Sequence, residues 1–77
     1  MKIIDQNNKS EIKIYKQNVY TNIALINEKQ HLYTDSLKNL KKALMVDPSN
    51  QKVQRLVTRM EQMIIGLNVS LINVSDI

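Results

Sequence analysis

The sequence predicts an all-α domain, and three observations carry that expectation. The 77 residues hold one glycine and one proline, far fewer breakers than the turns of a sandwich or barrel need. Three successive segments repeat their apolar residues at steps of three or four, the spacing of one helix face. The balance of 43% apolar to 23% charged residues is that of a globular chain rather than a disordered one.

Residues 1–9 are polar and without periodicity, and are expected to be a flexible lead-in. Ser10, followed by Glu11, suits the start of a helix, because a serine hydroxyl accepts from free first-turn amides. From there Ile12, Tyr15, Val19, Ile23 and Ile26 recur at steps of three or four, one face of an amphipathic first helix over residues 10–28. Residues 29–32 read as the connection. A second helix is expected over residues 33–46, with Leu37, Leu40, Ala43 and Leu44 inward and Lys38, Lys41, Lys42 and Met45 outward. It should stop by Val46, because a residue that precedes proline, here Asp47, is pushed out of the α region. Ser49 or Asn50 then caps a third helix over residues 50–65, whose stripe is Val53, Leu56, Val57, Met60, Met63 and Ile64. Gly66 falls where that stripe ends and is expected to close the helix in a left-handed conformation. The three-helix domain is thus placed at 10–66. An apolar tail at 67–77 follows, either extended or an ill-formed fourth helix.

Composition removes several classes of function. Without cysteine there is no disulfide, no thiolate metal site and no thiol nucleophile. One histidine, His31, leaves no His-based zinc site, and Glu28 and Asp35 near it make no catalytic spacing. Met45, Met60 and Met63 read as packing residues rather than a metal box. The chain is expected to be no enzyme and to carry no cofactor. No run of about 18 apolar residues occurs to span a membrane. With no cysteine and no visible secretory signal, the expected place is the cell interior, cytoplasmic or organellar, and not the secreted fraction.

Charge is uneven. The net charge is +4, yet Lys38, Lys41, Lys42, Lys52, Arg55 and Arg59 face one acid, Asp47, over residues 36–59.

Residues 17–50, ending in the phrase KKALMVDPSN, resemble a tetratricopeptide repeat, a 34-residue helix hairpin. Tyr20 takes the opening aromatic place and Ile23-Ala24 the Leu-Gly place. Ser36 and Ala43 take the small places of the second helix, Leu40 the large place between them, and Pro48 the closing proline. Asn27 departs from the pattern, where an aromatic or apolar residue is usual. The resemblance implies an antiparallel hairpin with a third packing or capping helix. It also implies a protein-interaction module, either an adaptor or a subunit of a larger assembly.

Two narrower readings attach to it. Some repeats of this family clamp the acidic C-terminal peptides of chaperones with Asn and Lys or Arg. Asn22 and Lys52 fall at clamp places, but Leu56 stands where an arginine is expected and Arg55 is one residue short. A different class of function is a nucleic-acid or ribonucleoprotein component using the two basic clusters. No stacking aromatics accompany them, which makes it the secondary reading. The candidate partner-binding residues are therefore Asn22, Lys52, Arg55 and Arg59 in the basic middle, and Leu67, Val69, Leu71 and Ile72 in the tail. A single repeat buries its faces poorly, so the tail is expected to dock on a second copy or another protein.

Overall fold

The computed structural model describes the backbone of residues 2–75 and the side chains of residues 9–69. Three helices follow in order: α1 (Lys2–Lys29), α2 (Tyr33–Val46) and α3 (Gln51–Ser75). The described residues contain no strand, as an all-α chain requires. Hydrogen bonds from Gln17 to the end of α2, and from Ser36 to Ala24, set α1 and α2 antiparallel. Asn50 beside Gln17 and Arg59 beside Glu28 then set α3 parallel to α1. α2 is the middle element and packs on both neighbours.

Each boundary has a local cause. α1 ends in a Schellman turn: the Leu32 amide donates to the Asn27 carbonyl at 2.8 Å, and the His31 amide to that of Glu28 at 2.9 Å. The left-handed residue of this turn is His31, with φ 63°. α2 stops at Val46 because Asp47 is extended (φ −144°, ψ 96°) ahead of Pro48. Asn50 caps α3, its Oδ1 accepting from the Val53 amide at 3.2 Å while its carbonyl opens the helical ladder by accepting from Gln54.

Two expected boundaries move outward. Residues 2–9 continue α1 rather than leading into it, because they hold no proline or glycine to interrupt a helix that Ser10 was expected to start. Gly66 does not close α3, which passes through it to Ser75, and no glycine has positive φ. A glycine ends a helix by adopting the left-handed conformation. Here the stripe simply runs on past it, through Met60, Ile64 and Leu67 at steps of four and three.

The core is small. Ala24, Leu40, Ala43, Val53 and Met60 are buried, ringed by Tyr20, Tyr33, Leu37, Leu44, Leu56, Val57 and Met63. Leu40 and Met60 are the largest fully buried side chains. Each contributes roughly 1.5–3 kcal/mol relative to exposure. α2 and α3 present to this core the stripes their spacing predicted, Ile64 excepted.

α1 does not. Its apolar stripe lies outward: Ile12 is 50% exposed, Tyr15 70%, Ile26 55%, and Ile23, which the repeat pattern would place in the packing, 40%. The face that packs inward carries Gln17, Thr21 and Ala24. Its polar groups are all used. Gln17 Nε2 donates to the carbonyls of Ala43 (3.0 Å) and Asp47 (3.1 Å), and its Oε1 accepts from Asn50 at 2.7 Å. Those carbonyls lie at the end of α2 and at its C-cap, where each also accepts one backbone amide, from Asp47 (3.3 Å) and Asn50 (3.4 Å). Thr21 donates to the Gln17 carbonyl and Ser36 to that of Ala24. Among the described residues no buried side-chain nitrogen or oxygen lacks a partner.

Candidate interaction surface

The outward stripe of α1 follows from the helix period and from what the inner face must do. Ile12, Tyr15, Val19, Ile23 and Ile26 share one side because their steps average close to 3.6 residues. Gln17, Thr21 and Ala24 lie on the other side, held there by the bonds of Gln17 to the end of α2 and the α2–α3 turn and by the Ser36 hydroxyl donating to the Ala24 carbonyl. The stripe spans about 21 Å of helix. Val19, at its centre, is half-buried and the flanking residues are exposed. Such a contiguous apolar strip is what docking surfaces look like on monomers.

The residues expected to bind partners lie on separate parts of the molecule. Asn22 is exposed on α1 and Lys52 is exposed in the first turn of α3; no hydrogen bond joins them. Arg55 and Arg59 share a shallow depression on α3 with Gln54, Thr58 and Gln62. Arg59 also pairs with Glu28 of α1 at 2.5 Å. That ties the parallel helices together, and so half-exposed an ion pair is worth at most about 1 kcal/mol. Lys38, Lys41 and Lys42 are exposed on α2 beside Met45.

Leu67 and Val69 are exposed on α3, at 50% and 48%. Two residues apart, they point to opposite sides of the helix. Leu71 and Ile72 lie in α3, outside the residues whose side chains are described. Over residues 67–75 the expected tail is therefore a helical continuation of α3, and residues 76–77 lie outside the described residues.

At the α2–α3 turn the Asp47 carboxylate accepts from the Ser49 hydroxyl (2.6 Å) and amide (3.0 Å). These bonds, with Lys13 nearby, hold its carboxyl below the usual carboxylate range. Among the described residues no three His, Asp or Glu side chains group as metal ligands do, and no helix is long and apolar enough to cross a membrane.

The α1 stripe is legible in the sequence as one helix face; the direction it points is not. The missed residues are Gln17 and Thr21, and the signal for them is weak: one glutamine at the level where α2 ends. No protein-family model, curated protein or solved structure matches this chain.

Proposed function

We propose that this chain is a non-catalytic protein-interaction module of the cell interior, a tetratricopeptide-type hairpin with a third helix, acting as an adaptor or assembly subunit. One observation supports this most: α1 is amphipathic, yet it turns its apolar side to solvent and its hydrogen-bonding side to the core. A helix that needs the stripe for its own packing would bury it. This helix has its inner contacts satisfied without the stripe. The burial of Ala24, Ser36, Leu40 and Ala43 is in keeping with the small-and-large pattern of the resemblance.

The chain recognises its partner through apolar area, with the lysine faces keeping it soluble. The test is capture of a partner by the full chain and by the Tyr15→Lys and Ile26→Lys variants, at low and high salt. The variants are expected to lose the partner, and the unmodified chain to retain it in high salt. Material that elutes steeply with salt and contains nucleic acid would instead support the ribonucleoprotein reading. For the clamp reading, an acidic C-terminal peptide is expected to show no saturable heat in titration calorimetry.

A further inference from the structure

We infer that the outer face of α1 pairs with the same face of a second copy of this chain, antiparallel, about a two-fold axis through Val19. This deepens the interaction-module reading and rests on it, naming the partner as the chain itself.

The first argument is register. A two-fold interface must be complementary to itself. The stripe Ile12, Tyr15, Val19, Ile23, Ile26 advances by three, four, four and three residues, the same read in either direction. Antiparallel pairing through Val19 therefore sets Ile12 against the partner's Ile26, Tyr15 against the partner's Ile23, and Val19 against its own copy. No apolar residue of the stripe is left opposite a charge. Steps of three, four and four make an eleven-residue period, which keeps a stripe nearly straight on an undistorted helix.

The second argument is charge. Glu11 and Lys29 lie on one edge of the stripe, because eighteen residues complete five turns. The two-fold brings Glu11 to within two residues, about 3 Å along the axis, of the partner's Lys29, and does so twice. Asn18 and Asn22 fill the same edge between them. The other edge carries Lys9, Lys13 and Lys16. The copies of Lys16, the nearest of these to the axis, are staggered by about 9 Å, close to a Debye length at physiological salt. α2 packs behind α1 and leaves this face clear.

The third argument is area. The exposed fractions of the stripe amount to roughly 300–500 Å² per copy, about half of a standard interface. That places the pair among weak, transient associations.

Sedimentation equilibrium of the full chain from about 1 μM to 1 mM is expected to show monomer passing to dimer. Tyr15→Lys should weaken association at least tenfold with unchanged helical circular dichroism. Glu11→Lys and Lys29→Glu should each weaken it, and the double variant should recover.

The absence of native cysteine makes cross-linking direct. Val19→Cys should form a disulfide-linked dimer under mild oxidation. Ile12→Cys should not, since its two copies stand about 21 Å apart, far beyond disulfide reach. Mixing Ile12→Cys with Ile26→Cys should link the two.

A monomer throughout that range, or Ile12→Cys linking to itself as parallel pairing requires, would overturn the inference. A chain that stays monomeric yet captures another protein through the stripe would leave the module reading in place and end this one.

Discussion

α1 and α3 both lean on α2, by different chemistry. α3 uses hydrophobic burial, with Val53 and Met60 fully inside and Leu56, Val57 and Met63 around them. α1 uses close approach and hydrogen bonds: Ala24 against the Ser36 side, and Gln17 against the carbonyls at the end of α2. The first kind of contact tolerates small shifts of register. The second does not, because Gln17 meets its three partners at one axial position only. α3 therefore supplies most of the burial energy, and α1 fixes the alignment of the hairpin. The contrast also explains why α1 has apolar side chains to spare for its outer face.

The largest expected effect is on the α3 side. Met60→Ala removes the largest side chain that α3 buries completely and should cost about 2–5 kcal/mol, much of the stability of a domain this small. Urea denaturation followed by circular dichroism should show the transition shifted to low denaturant or lost.

On the α1 side, Gln17→Ala should cost about 1–3 kcal/mol, since three hydrogen bonds are lost, leaving the Ala43 and Asp47 carbonyls one backbone donor each and the Asn50 amide without its Gln17 acceptor. Gln17→Leu sharpens the comparison. It restores volume but no donor, so it should recover little of that loss. A Gln17→Leu variant more stable than the parent would show that α1 packs by ordinary hydrophobic burial after all.

How far the sequence disclosed this depends on which signal each helix carries. α2 was legible at both ends, because Pro48 forbids continuation and Leu37, Leu40, Ala43 and Leu44 have no rival face. α3 was legible through Ile64, and its continuation past Gly66 was hidden by the expectation that a lone glycine must cap. Nothing lies within 4 Å of where a Gly66 Cβ would stand, so neither close packing nor a turn calls for glycine there. α1 was legible only in part, because periodicity finds the strongest apolar stripe, not the side that packs. Its inner face is built of residues whose polarity is cancelled by partners far along the chain, Asn50 and the carbonyls of Ala43 and Asp47. Those partners are visible only once the hairpin is folded. The same stripe is the candidate surface, so its residues were legible and its direction was not.

A smaller effect is expected at the α1–α2 turn. His31 holds a left-handed conformation that suits glycine better, partly offset by its Nδ1 contact of 2.8 Å with the Tyr33 hydroxyl. His31→Gly should raise stability by about 1 kcal/mol, seen as a melting temperature about 4–8 °C higher. The turn would be strengthened without altering either interface.

The smallest effect is a pH dependence at the α2–α3 turn. The Ser49 hydroxyl and amide hold the Asp47 carboxyl low in the folded state, with Lys13 adding to the effect. Its contribution is thus present above the unfolded carboxylate range and is lost as pH falls through the lowered folded value. Thermal melts from pH 7 to pH 2–3 should show a shallower acid-side decline for Asp47→Asn than for the parent.

The central claim is that α1 faces its apolar side outward, and thiol labelling tests it most directly, because the chain has no cysteine of its own. Tyr15→Cys and Thr21→Cys are each reacted with a thiol reagent below the concentrations at which copies associate. The account predicts that Tyr15→Cys labels at nearly the rate of an unfolded peptide, and that Thr21→Cys, at a position 8% exposed, labels at least tenfold more slowly. Slow labelling at position 15 with fast labelling at position 21 would contradict it, and would place the stripe back in the core.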